Sequence, residues 1–176
     1  MKKFFVIAML FCCALCTHAQ QLQGTFKADL NAGYAIPTEG FGVKSGVMFT
    51  VEPHYYVTDN FVAGLRLEGA FLGYQTESDD ELFSFFGSTI LTGDFYFSKS
   101  KVKPFIGMGA GLYTRHYIFE DYTGEDVYVS GYGAIKLGFM GRAGFEIGHI
   151  RLTGSYNVVA ANFSYAAFTI GYTIGE

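Results

Sequence analysis

The sequence predicts an all-β fold: an eight-stranded antiparallel transmembrane up-and-down β-barrel. Three observations predict it. Apolar and polar side chains alternate with a period of two, segment after segment. The connections between those segments are short and long by turns. A secretion-type start is followed by no apolar run long enough to cross a membrane as a helix. A period of two marks a strand with unlike faces. A chain that crosses lipid on strands must close its sheet, because hydrocarbon cannot hydrogen-bond an open edge.

The first element is not expected to belong to the fold. Residues 1–19 read as a signal peptide, with Lys2 and Lys3 at the start, an uncharged apolar run over 4–15 and small residues around Thr17-His18-Ala19. The run is too short to span a bilayer. Cys12, Cys13 and Cys16 all lie within it, so the barrel domain expected over 20–176 offers no disulfide and no thiolate metal site. Neither Cys13 nor Cys16 follows a small residue, as a lipid anchor would require. Removing Lys2 and Lys3 takes the formal charge from −4 to −6. An acidic chain with few clustered cations does not suit nucleic acid.

Eight strands follow, expected at 25–36, 46–57, 61–74, 83–97, 102–116, 131–147, 150–158 and 163–174. The first shows the pattern best, with Phe26, Ala28, Leu30, Ala32 and Tyr34 on one face and Lys27, Asp29, Asn31 and Gly33 on the other. The second sets Glu52 and His54 against Tyr55, and the third sets Arg66 and Glu68 against Phe61 and Phe71. The fourth carries Asp94 between Phe95 and its own polar phase, with Phe97 beyond. The fifth has Gly107, Gly109 and Gly111 in one phase, and the sixth alternates Lys136, Gly138, Arg142, Gly144 and Glu146 with apolar residues. The seventh carries Arg151 and Tyr156, and the eighth closes on Tyr172. Several of these reach the roughly 9–11 residues a tilted membrane strand needs. The connections 58–60, 98–101 and 148–149 are tight, and 37–45, 75–82 and 117–130 are long, while 159–162 is short for its side. Small membrane barrels put tight turns in the periplasm and long loops outside.

Periodicity does not say which face is inside. A soluble lipocalin-like carrier, with an apolar cavity, alternates equally well. Charges in mid-strand and glycines on the same phase favour a polar interior. The expected interior charge network is Glu52, Arg66, Glu68, Asp94, Lys136, Arg142, Glu146 and Arg151, with Arg66 beside Glu68 and Arg142 beside Glu146 on shared strand faces. Eight strands leave a lumen just wide enough for side chains to fill, so a salt-bridged plug is expected over a selectivity ring. The expected aromatic girdle is Tyr34, Tyr55, Phe61, Phe71, Phe95, Phe97, Tyr156 and Tyr172.

No constellation of catalytic type stands out. His54 belongs inside and His149 in a tight turn. His116, near Glu120, Asp121 and Ser130, is the one candidate base at the rim, without a recognised serine–histidine spacing. Asp79-Asp80-Glu81 lacks the spaced oxygen ligands of a calcium loop. The glycines from Gly107 to Gly111 precede no helix that could cradle a phosphate. The expectation is therefore a non-enzyme with no catalytic residue, cofactor or metal.

Several segments resemble the small outer-membrane β-barrel proteins described as porin-like or OmpA/OmpW-like. They are Tyr56-Val57-Thr58-Asp59-Asn60-Phe61 with Gly64-Leu65-Arg66, Lys103-Pro104-Phe105-Ile106-Gly107-Met108-Gly109-Ala110-Gly111, Arg142-Ala143-Gly144-Phe145-Glu146, Tyr156-Asn157 and Ile170-Gly171-Tyr172. The resemblance implies a monomer in the outer membrane of a Gram-negative bacterium, with both termini periplasmic. It implies outer-membrane lipids and the barrel-assembly machinery as partners, and an extracellular ligand met through loops 37–45, 75–82 and 117–130. Such barrels end in an aromatic residue, whereas this chain ends Ile174-Gly175-Glu176, and no peptidoglycan-binding domain is expected after it. The implied role is structural or one of surface interaction, the alternatives being a narrow channel or uptake route for small apolar molecules, or the soluble carrier.

Overall fold

The computed structural model describes residues 23–38, 43–75, 81–118, 135–160 and 164–175. Eight strands account for nearly all of them: β1 (Phe26–Pro37), β2 (Val43–Tyr56), β3 (Phe61–Gln75), β4 (Glu81–Tyr96), β5 (Val102–Ile118), β6 (Lys136–Ile147), β7 (Ile150–Val159) and β8 (Tyr165–Ile174). Each pairs antiparallel with its neighbour in sequence, and β8 returns to β1, so the sheet is a closed barrel. Closure leaves no unpaired edge, as a sheet that meets hydrocarbon requires.

The strand expectations hold to within a few residues. β2 begins at Val43, three residues earlier than expected, because its pairing with β3 continues past a register shift between Val43 and Gly46. β6 begins at Lys136, and the expected start over 131–134 lies outside the described residues. So do 1–22, 39–42, 76–80, 119–134, 161–163 and Glu176, and with them the expected signal peptide and much of the three expected long loops.

The faces sort as the charges suggested. Phe26, Leu30, Phe49, Leu91, Met108, Phe139 and Phe168 are exposed on the outside, Leu91 by 70% and Met108 by 75%. Asp29, Glu52, Arg66, Asp94, Glu146 and Arg151 are buried inside, each exposed by 2% or less. A soluble carrier would have these faces exchanged, so that alternative is set aside. Phe61 and Phe71, ten residues apart on β3, bound the outer apolar band. That is about 33 Å of strand, which a tilt of about 40° turns into a height of about 25 Å, the thickness of a barrel's lipid-facing band.

The interior is layered rather than uniformly charged. Near the tight turns it holds a cluster of Tyr56, Val62, Tyr96 and Phe105. The charged layer lies above them. Toward the long connections comes an apolar layer that includes Met48, Leu72, Phe86, Ile90, Met140 and Tyr165. The apolar layer is not part of the expected charge network, and the period-two pattern gives no sign of it. Apolar and charged residues share the inward phase of the same strands, as Met48 and Glu52 do on β2, and phase alone cannot separate them by height.

Candidate functional site: the ionic layer across the lumen

β2, β4 and β6 each bring one charged residue to the same height inside the barrel. Arg142 of β6 reaches across to Glu52 of β2, and those two strands stand opposite each other in the closed order of eight. Its Nη1 and Nη2 each donate to a Glu52 oxygen at 2.6 Å. Its Nε and Nη2 also donate to the two oxygens of Asp94, on β4, at 2.7 and 2.9 Å. The guanidinium is thus forked into two carboxylates at once, the geometry in which arginine binds most strongly. Glycines make room for it. A Cβ on Gly107 would run into the Asp94 carboxylate, whose Cγ would be 3.0 Å away.

The remaining charges extend this layer. Arg66 Nε donates to Glu68 at 2.9 Å, and its Nη1 reaches Glu52 at 3.5 Å. Arg151 donates to Asp94 and to the Tyr96 hydroxyl, pairs with Asp29 at 3.0 Å, and lies 4.1 Å over the Phe105 ring. Tyr96 in turn donates to Glu146 at 3.0 Å, and Lys103 donates to the other Glu146 oxygen at 3.1 Å. Above, the Tyr165 hydroxyl donates to Glu68. Thr92 donates to Glu52 at 2.7 Å, and Thr173 to Asp29 at 2.6 Å. Burial of so many ions is tolerable only because each is paired and hydrogen-bonded.

Seven of the eight residues expected in the network meet in this layer: Glu52, Arg66, Glu68, Asp94, Arg142, Glu146 and Arg151. Lys136 does not join it; it is half-buried at the start of β6 and has no ion pair among the described residues. The expected pairing of Arg142 with Glu146 is also corrected. Four residues apart on an extended strand they are too distant, and Glu146 takes Tyr96 and Lys103 instead. Sequence reasoning missed Lys103 and the two tyrosines as partners. It also left Asp29 out, although Asp29 sits on the polar phase of the most regular strand.

All eight girdle residues, Tyr34, Tyr55, Phe61, Phe71, Phe95, Phe97, Tyr156 and Tyr172, lie exposed on the outward face, between 41% and 57%. The Phe71 and Phe85 rings meet at 5.1 Å, and Tyr172 stacks on His149 at 5.2 Å. His54 is buried, with Nδ1 3.4 Å from Asp29. Of His116 only the backbone, in register with Phe85, is described, and Glu120, Asp121 and Ser130 lie outside the described residues. The acidic residues Asp79 and Asp80 lie outside them too, and of Glu81 only the backbone is described.

Solved structures share this architecture. The chain is similar to Neisserial surface protein A, at 16% identity over 86% of this chain and 97% of that one, with a TM-score of 0.57. It is similar to the outer membrane protein OprG from Pseudomonas aeruginosa, at 12% identity over 90% and 99%, with a TM-score of 0.58. A third is Ail, the attachment invasion locus protein of Yersinia pestis, at 12% identity over 86% and 99%, with a TM-score of 0.54. No protein-family model matches the sequence, and no curated protein matches it. At these identities the likeness is one of fold, and the chain has the fold of the small eight-stranded outer-membrane β-barrels.

Proposed function

We propose that this is a monomeric, non-enzymatic outer-membrane protein whose lumen is closed by its own side chains and whose long loops meet a ligand outside the cell. The tight turns, and with them both termini, face the periplasm. The single observation that carries the closed lumen is the bridge from Arg142 to Glu52, which joins opposite walls of the barrel at 2.6 Å. An ion travelling along the axis would have to break that fork, the apolar layer above it and the aromatic layer below. With transport set aside, the long loops are what remains to act. A barrel of this fold, Ail, is known in complex with a heparin analogue, sucrose octasulfate, so the fold is compatible with a surface-binding role.

The test is conductance. Purified protein in a planar bilayer is expected to give no unitary current, and steady current steps would overturn the closed lumen. A second reading, uptake of small apolar molecules, draws on the apolar layer toward the long loops. It predicts quenching of added apolar fluorophores by the tyrosines of that layer, Tyr113 and Tyr165, without any conductance. Orientation is tested separately, by single cysteines at Ser100 and at position 78. Thiol labelling of whole cells should reach the second and spare the first.

A further inference from the structure

The outward face is not evenly covered. Gly69 on β3 is in register with Gly87 on β4, and Gly87 with Thr114 on β5. Where side chains are missing the surface sinks into a groove of about 650 Å³, walled by Phe49, Leu67, Phe85 and Leu112. That volume lies within the range of sites that hold small ligands. Thr89 and Thr114 line it too. Between the two aromatic levels they are the only polar side chains on the outward face among the described residues. The Thr114 hydroxyl donates to the Gly87 carbonyl at 3.2 Å. Thr89 is exposed, and its hydroxyl has no hydrogen bond among the described residues.

In water such a hydroxyl would be hydrated. In hydrocarbon it is left without a partner, which is costly. Thr89 stands four residues from Phe85 along β4, about 13 Å of strand and about 10 Å of depth at the barrel's tilt. Water does not reach that depth, so the partner has to come from the lipid. We propose that this groove binds the hydroxylated acyl chain of a membrane lipid: its methylenes fill the apolar trough, and its hydroxyl bonds Thr89 and the free lone pair of Thr114. In the orientation proposed above, that lipid belongs to the outer leaflet. The proposal rests on the membrane placement of the preceding subsection, and on that alone.

The experiment is native mass spectrometry of the full chain in mixed micelles. The micelles hold equal amounts of two phosphatidylethanolamines, one with 10-hydroxyoctadecanoyl chains, whose hydroxyl sits at about the depth of Thr89, and one with octadecanoyl chains. One added hydrogen bond should give about a fivefold preference for the hydroxylated lipid. Thr89→Val, nearly the same shape, should abolish the preference and leave total lipid retention unchanged. Gly87→Leu, which fills the groove, should lose retention of both lipids. Equal retention by the unaltered protein, or a preference that survives in Thr89→Val, would overturn the proposal. Mobility with and without boiling is read on the same samples. A chain that never takes the compact, heat-modifiable form overturns the membrane placement and the groove with it. A compact chain without preference overturns the groove alone.

Discussion

Arg142 holds two carboxylates: Glu52, whose other arginine contact, from Arg66, is long at 3.5 Å, and Asp94, which it shares with Arg151. Arg142→Ala would leave Glu52 and Asp94 short of charge in a buried layer, at a cost of about 3–5 kcal/mol. The expected readout is a lower unfolding midpoint in detergent, and an unchanged midpoint would count against the network. Arg142→Lys keeps the charge without the fork, and should fall between the two. Glycines give a matched pair of tests. Gly107→Ala pushes a methyl into the Asp94 carboxylate and the Gly93 carbonyl, and should cost about 1–3 kcal/mol. Gly141→Ala meets nothing within 4 Å and should be near neutral by the same thermal assay. Part of this was legible beforehand. Arg66 and Glu68 are two apart on one strand, so their contact follows from the pleat. The partners of Arg142 were not legible, because they depend on the stagger at which the barrel closes, and no local pattern encodes that.

Strands are the level at which the sequence speaks most clearly. The period of two survives from β1 to β8 because each strand separates lipid from lumen, and a slip of one residue would exchange every side chain between them. Leu91, in the middle of β4 and 70% exposed, tests which medium lies outside. Leu91→Arg should destabilise the folded protein by about 2–4 kcal/mol if it faces the bilayer midplane. In a water-exposed barrel it would change almost nothing, and equilibrium urea titration in vesicles distinguishes the two. The tight turns carry less weight. Asp59 accepts Lys99 at 2.6 Å and the Gln23 amide at 3.0 Å, tying the approach to β1 to two turns, but the pair is about a quarter exposed. Asp59→Ala should cost under about 1 kcal/mol in the same titration. Heights within a strand were harder to read than faces. Phe86 and Asp94 share a phase on β4, yet one belongs to the apolar layer and the other to the ionic one.

The whole barrel is more than the sum of its hairpins. Neighbouring strands in the sheet are also neighbours in the chain, but the bridge from Glu52 to Arg142 spans ninety positions of chain, and the contact of Glu68 with Tyr165 spans 97. Neither can form until β6 and β8 have been laid down. A half-built sheet of β1 to β5 would therefore carry Glu52 and Asp94 without Arg142 and Arg151, with Arg66 alone at a long 3.5 Å from Glu52, facing a medium that penalises poorly paired charge. Intermediates of this kind are unfavourable in lipid, so insertion should proceed in one concerted event rather than hairpin by hairpin. The ionic layer then serves as a checkpoint on completeness: only a chain with all its strands in register can neutralise its own interior.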